Sequence, residues 1–419
     1  MIKHKDTKWM YLVVPFNAST GPLSTLVTLQ ILALGGNAIT VSYVISLGNA
    51  VLIPASIIWG FLADRMNRKK QILMSFGGVS VPLILMPLAD NVQTLALNYS
   101  LALFMSTAST TPFNLLIMES TEKKHWGSLL SRFSFLSSIG MLSGLIASTF
   151  LVLFLKMYEI EEVLGFTVLI TLILGIKLIP EPVITFERLA IIHHKESFMI
   201  RLKHLPLFFL HLPNPHHFKM FSFKRLSMKP INYIPLLYLG LIIFYVSSGI
   251  FNTVYPAGLY VKGLDKSEVL AVITVGMIFQ IIGFRIAENM LENRDEKKIA
   301  YLSLILRGSS YISVGVIALL PLVLPSLFFS LNLLFYPLAA GIAFANFYSS
   351  STTLIFKIVG ERSQGRGLGV YSTVVGISLF VGSLLSGYIT HYLSYGIDFI
   401  IAGLLLLADS LLFRYLEEG

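Results

Sequence analysis

Long apolar runs alternate with short polar ones along almost the whole chain. A helix needs about 20 mostly apolar residues to cross the hydrocarbon of a bilayer. Twelve runs meet that need: 9–33, 38–62, 71–89, 93–118, 129–154 and 163–180, then 232–256, 267–289, 298–320, 325–349, 367–389 and 395–414. The pattern predicts an all-α membrane protein with twelve transmembrane helices. A longer polar stretch, 181–230, separates the two sets of six. The expected organisation is therefore a six-helix bundle over 1–180, a linker over 181–230, and a second six-helix bundle over 231–419.

The basic residues test this count, because Lys and Arg concentrate on the cytoplasmic side of membrane proteins. With a cytoplasmic N-terminus, Lys156, Lys262 and Lys266 are the only bases on the far side, and Arg307 lies inside helix 9. The rest of the 31 Lys and Arg fall on the N-terminal side. A miscounted helix would scramble that alternation. Both termini are expected in the cytoplasm, and the chain in the cell membrane as a multi-pass protein.

Composition agrees. Of 419 residues, 55% are hydrophobic and 13% charged, about half the charged fraction of a soluble protein. Mean hydropathy is +0.76. The net charge of +9 would suit nucleic acid if the bases formed one patch, but they are dealt out between apolar runs, so no nucleic-acid partner is expected. The chain has no cysteine, which excludes disulfides, thiolate metal sites and cysteine catalysis. The first apolar run lacks a small-residue cleavage site and reads as a retained helix. The linker mixes bases with large apolar residues, as a helix lying on the membrane face would. It also holds His193, His194, His204, His211, His216 and His217. A solvated basic linker touching anionic lipid accounts for it better than a metal site.

The most informative loop is Gly60-Phe-Leu-Ala-Asp64-Arg65-Met-Asn67-Arg68-Lys69-Lys70, caught between two apolar helices. It resembles the signature loop between helices 2 and 3 of the major facilitator superfamily: Gly, three residues, Asp, a base, any residue, Gly, two bases. Gly60, Asp64, Arg65, Arg68 and Lys69 fall in register. Asn67 stands where the family usually has Gly, and Asn tolerates a left-handed backbone better than most residues. A faint second copy, Gly283-Phe-Arg285-Ile-Ala-Glu288 followed by Arg294, Lys297 and Lys298, falls between helices 8 and 9. The spacing of Gly127 to Gly140 in helix 5 recurs as Gly369 to Gly382 in helix 11. The segment from Glu361 to Tyr371 is similar to the family's entry into helix 11.

The resemblance implies two parallel six-helix halves working by alternating access. It implies that Asp64 docks on the start of helix 11 near Gly367, where the helix dipole is positive. It further implies that the loop's bases pair with acids at the end of helix 4, here Glu119 and Glu122. Together these would form a clamp that closes the cytoplasmic end.

In this family helices 1, 4, 7 and 10 line the cavity, and their polar residues here fall on stripes of helical period. Helix 1 offers Asn17, Gly21, Ser24 and Thr28; helix 4 offers Thr107, Thr111 and Asn114. Helix 7 offers Tyr245, Ser248, Asn252 and Tyr255; helix 10 offers Asn332, Tyr336 and Asn346. Asn49 and Gln280 add amides from helices 2 and 8. Asn17, Asn114, Tyr245, Asn252, Tyr255, Gln280, Tyr336 and Asn346 are taken as the substrate cavity, and the Ser and Thr residues as contacts between helices. Pro15, Pro22, Pro112, Pro256 and Pro337 are placed to kink the same helices. No Asp or Glu lies at mid-depth on these stripes, which favours a neutral or amphipathic organic solute. Glu119, Glu288 and Asp409 are the acids that could couple protons. Arg307 is the deepest charge, about 13 Å past Lys298 along helix 9. An ion pair with Asp409 is the first expectation, and anion binding the second.

The expected function is secondary transport of a small neutral or amphipathic organic solute, with export leading and both proton antiport and uniport left open. Helix 5 carries Gly140 and Gly144 but lacks the Pro and two further Gly of the drug-exporter pattern, so uptake of a sugar-like metabolite is the alternative. A membrane-embedded enzyme or a non-transporting receptor is the alternative from another class. The chain is not expected to be an enzyme, because no histidine falls in a helix core. Cofactors and metals are not called for. The expected partners are the solute, protons if transport is coupled, and membrane lipids, with the chain acting as a monomer.

Overall fold

A computed structural model of the chain describes residues 8–63, 66–120, 126–181, 233–293, 295–320, 324–359 and 364–418. The described residues are helical, with no β-strand among them. In chain order the helices are α1 (Lys8–Ala33), α2 (Ala38–Ala63), α3 (Arg68–Ile84), α4 (92–120), α5 (Trp126–Leu151) and α6 (Met157–Leu178). After the linker come α7 (Tyr233–Val261), α8 (Lys266–Asn293), α9 (Glu296–Leu319), α10 (325–359), α11 (Gln364–Tyr392) and α12 (Tyr395–Glu418).

Ten of these helices are long and apolar enough to cross a membrane. The other two are α4, interrupted by a tighter turn at Thr107–Ser109, and α6, which carries Glu159, Glu161, Glu162 and Lys177. The outside of the bundle is apolar: Phe166, Ile170 and Ile173, one helical turn apart on α6, are all exposed. Such a surface suits lipid and not water. The helices outrun the apolar runs: α6 begins at Met157, α7 continues to Val261 and α10 to Val359. An apolar run measures only the hydrocarbon, whereas a helix pairs its own backbone on into the headgroups.

Polar side chains set several helix starts. Asn67 accepts from the backbone N–H of Lys69 and Lys70 at the start of α3, and Asn91 does the same for Thr94 at the start of α4. Asp295 accepts from Lys297 N–H at the start of α9. These bonds satisfy donors that a helix start leaves unpaired. Asn67 has φ −60° and ψ 123°, so the expectation of a left-handed residue in this turn is corrected. Asn is useful here as a cap, and only Gly35 and Gly263 have positive φ among the described residues.

The prolines act unequally. Helix α1 breaks at Gly21–Pro22, α4 narrows at Thr107–Ser109 just before Pro112, and α10 widens into a π-helix over Pro337–Ala343. In each case a missing N–H frees a carbonyl one turn earlier. Helix α7 runs unbroken through Pro256, and Pro15 sits in the first turn of its α-helical segment, where its N–H has no intrahelical partner to lose.

Glycine contacts pair the helices in a repeated way. A Cβ on Gly144 of α5 would lie 1.9 Å from the Ala18 carbonyl oxygen of α1, and one on Gly382 of α11 would lie 2.2 Å from that of Val246 on α7. In chain order α11 follows α7 at the same remove as α5 follows α1. On the outside of the second set, α9 and α12 meet through Gly308, Gly315, Gly396 and Gly403. Small residues let helix backbones approach closely in membranes.

The two sets touch through α2 with α11 and α5 with α8. Ser42 donates to the Ser383 and Leu384 carbonyls, Tyr43 and Tyr388 share a hydroxyl hydrogen bond, and Asn49 Nδ2 donates to Ser383 Oγ at 2.8 Å. Thr149 and Thr274 hydroxyls lie 3.2 Å apart. Ser42 and Tyr43 are near the start of α2, Tyr388 near the end of α11 and Thr149 near the end of α5. Apart from the Asn49–Ser383 bond near the middle of α2, these contacts therefore lie toward the bundle end away from the 60–70 loop.

Candidate functional site

A cavity of about 470 Å³ lies between the two sets of helices. One wall is α1, with Gly21, Ser24, Thr25 and Thr28, beside Asn49 of α2 and Tyr99 of α4. The facing wall is α7, with Ser248, Asn252 and Tyr255, beside Gln280 of α8 and Tyr336 and Phe344 of α10. Ser383 of α11 closes one side. Serine and threonine residues read as helix contacts thus line the space too. Asn49 does both jobs, lining the cavity while bonding α11.

Of the sequence-predicted cavity residues, Asn252, Tyr255, Gln280 and Tyr336 line this space, and Asn17, Asn114, Tyr245 and Asn346 do not. Asn17 turns to α5, where its Cβ lies 3.0 Å from the position a Gly140 Cβ would take. Tyr245 is buried one turn from Ser248, edge-on to Phe244 at 5.0 Å. Asn346 is buried beyond the π-helical stretch, which shifts the facing of α10 after Ala343. Asn114 is half-buried on the segment of α4 after the narrowed turn.

Aromatic rings build the second-half wall. Tyr255 and Tyr336 stack at 4.4 Å and 8°, and Phe251 stacks on Tyr311 at 3.6 Å. The Tyr255 hydroxyl donates to Asn332 Oδ1 at 2.9 Å, and Asn332 Nδ2 donates to the Phe328 carbonyl. Asn332 is thus a buried brace for Tyr255.

Arg307 is where the structure departs most from expectation. Arg307 is among the residues that line the cavity. Nε and one terminal nitrogen donate to the Tyr311 hydroxyl at 3.0 and 2.7 Å. The guanidinium sits over the Phe244 ring at 4.6 Å and the Phe344 ring at 5.2 Å, a favourable place for a cation. Its other terminal nitrogen is buried without a hydrogen-bond partner. The ion pair with Asp409 is not formed. Helix α12 turns Gly396, Gly403 and Leu407 to α9. Asp409, two residues past Leu407, points to the far side at 100° per residue. There it packs against Gly240 of α7, with both carboxylate oxygens unpartnered.

At the basic loop, Asp64 and Arg65 lie outside the described residues, as do Glu122 and the side chain of Glu119. Lys69 pairs with Glu181 just after α6 at 3.2 Å, and Asn67 Nδ2 donates to the same carboxylate at 3.1 Å. These two contacts hold the Glu181 carboxyl below its ordinary value. The partner lies in the same half, so this pair ties α3 to α6 and does not bridge the halves. Arg68 is buried. Gly60 faces open space, with nothing within 4 Å of where a Cβ would sit. The echo residues Arg285 and Glu288 pair with each other at 2.7 Å on the exposed face of α8.

The Major Facilitator Superfamily sequence pattern matches residues 10–306 and 237–419. The chain belongs to that superfamily. It is a multi-pass membrane transporter of that type. No curated protein matches it. Solved structures share the fold. The nucleoside transporter NupG aligns with a TM-score of 0.74 at 12% identity, covering 98% of this chain and 98% of that one. A POT family transporter in complex with a thioalcohol-conjugated peptide aligns at 0.72 and 11% identity, covering 98% and 95%. A D-xylose–proton symporter aligns at 0.70 and 12% identity, covering 97% and 94%.

Proposed function

We propose that this protein is a secondary transporter of the cell membrane that carries a small organic solute through the central cavity by alternating access. The observation that carries this reading is the position of the cavity: both halves line it, and they are joined toward one end of the bundle. Separating α2 from α11 and α5 from α8 would open that end, while closing the other would complete the cycle. In this reading all twelve helices cross the membrane and both termini are cytoplasmic, so the contacts seal the outer side.

A sealed outer side fits a state that loads from the cytoplasm, and export is the direction we favour. An importer passes through the same state, so flux decides. Neighbours named for nucleoside, peptide and xylose substrates support a polar organic cargo as a class. Proton antiport belongs to this reading. Asp409 is the carboxyl for it, because it is buried, lacks a partner and sits where α7 and α12 meet. In the same reading the 60–70 loop closes the cytoplasmic end, with Asp64 on the start of α11 and the side chains of Arg65 and Glu119 beside it. The protein is taken to act as a monomer among membrane lipids.

The experiment is reconstitution into proteoliposomes with a panel of labelled solutes, with and without a pH gradient. Saturable flux of at least one solute above protein-free liposomes is expected, accelerated by an opposing proton gradient. Flux equal to protein-free liposomes for the whole panel contradicts transport. Flux indifferent to the gradient removes the proton.

A further inference from the structure

We propose that the cavity selects singly charged organic anions, and that Arg307 binds the solute's acid group. This deepens the transport reading by naming the class of cargo.

Among the described residues lining the cavity, Arg307 is the one Asp, Glu, Lys or Arg. It is 1% exposed. A charge buried at this depth without an opposite charge is costly, and intramembrane charges mark solute or ion paths. The side chain is held from behind: Tyr311, one turn on along α9, accepts from Nε and one terminal nitrogen. Two aromatic rings cover the guanidinium plane. That leaves a terminal nitrogen with no protein partner, on a residue that borders the empty space. An acceptor brought by the solute would complete it.

The rest of the wall specifies the remainder of the cargo. A single guanidinium, with no second cation among the described lining residues, suits one negative charge, such as a carboxylate or sulfonate. The stacked pair Tyr255 and Tyr336 presents an aromatic face to the cavity, which suits a flat or apolar body. Asn49, Asn252 and Gln280 on the same cavity can donate to or accept from substituents of that body. No carboxylate stands among the described residues that line the space. Charge also couples occupancy to movement. The empty cavity holds one unpaired positive charge and the loaded cavity none, so closing over the loaded site costs less desolvation.

The test uses the full-length protein in detergent with size-matched triads: benzoate, benzamide and benzylamine, and indole-3-acetate, indole-3-acetamide and tryptamine. Binding is read by calorimetry or thermal shift. The acids are expected to bind at least about tenfold more tightly than their amides, and the amines not at all. In Arg307→Gln the acid-to-amide ratio should fall to near one, and Arg307→Lys should keep a preference for the acid. A merely structural arginine would not change that ratio.

Equal binding of acid and amide by the wild type overturns the inference without reference to any variant, as does binding of the amines or failure of every acid. Retained acid preference in Arg307→Gln overturns the role of Arg307. Liposome flux separates the two readings. Movement of neutral or cationic solutes alone leaves transport standing and removes anion selection; acids that bind but never move leave selection standing and remove transport.

Discussion

Replacing Tyr311 with Phe deletes one oxygen and leaves its ring against Phe251. That oxygen accepts two hydrogen bonds from the Arg307 guanidinium, at 3.0 and 2.7 Å. A hydrogen bond to a buried charged group contributes roughly 1.5–3 kcal/mol. Both bonds share one acceptor, so their loss together is put at about 3 kcal/mol, with the rings of Phe244 and Phe344 still stabilising the cation. Arg307 then has no protein acceptor for any of its N–H groups, and it is too deeply buried to find water freely. Thermal unfolding of the unliganded protein in detergent should drop by several degrees. Tyr336→Phe is the matched control: it removes a hydroxyl from the same cavity for which no bond to a protein acceptor is seen, and its stability should stay within about 0.5 kcal/mol of wild type. Equal melting temperatures for wild type and Tyr311→Phe would refute the reasoning, because the guanidinium would then not depend on Tyr311.

Gly144→Ala and Gly382→Ala each drive a methyl into a backbone carbonyl, at 1.9 and 2.2 Å, and should each cost about 1–3 kcal/mol by overpacking; unchanged unfolding would mean that these helices are not in contact. Gly60→Leu faces open space here, so it should leave melting within about 0.5 kcal/mol of wild type yet slow transport sharply by obstructing closure of that end; normal flux would remove the loop from the gate. Glu181→Gln breaks an exposed pair and should cost less than about 1 kcal/mol. Because the folded-state carboxyl is held low, the wild type keeps that small contribution above the ordinary carboxylate range and loses it as pH falls through the lowered value. A stability titration that is the same in Glu181→Gln would contradict the pairing.

Much of this architecture was legible because membrane helices obey a simple length rule. Apolar runs located the helices to within about ten residues, and the 60–70 loop pointed to the family. Helical period found Asn252, Tyr255, Gln280 and Tyr336 because α7 and α8 stay continuous, as does α10 up to Tyr336. It failed for Asn346 because a π-helical stretch resets the facing of α10. It failed for Asn17 because α5 carries Gly140 there and draws the side chain toward itself. Arg307 was visible as a deep charge, but its direction was not. The signal was in the neighbours: Gly308 and Gly315 mark the face of α9 that packs on α12, roughly 90° round the helix from Arg307. Reading those glycines as the contact stripe would have separated Arg307 from Asp409. The partner of Lys69 was missed because Glu181 lies past the end of α6, far away in sequence, where no local spacing rule applies.

In the transport reading proposed above, the halves part on the side of the bundle where they now touch. The chain has no native cysteine, so Thr149→Cys with Thr274→Cys gives a clean test. The two hydroxyl oxygens are 3.2 Å apart on opposite halves, which brings two thiols within bonding reach after a shift of about an ångström. Flux of the cognate solute into proteoliposomes is measured before oxidation, after it, and after reduction, beside both single-cysteine variants. The account predicts that flux falls in proportion to the fraction cross-linked, returns on reduction, and is untouched by oxidation in the single variants. Undiminished flux through fully cross-linked protein would contradict it.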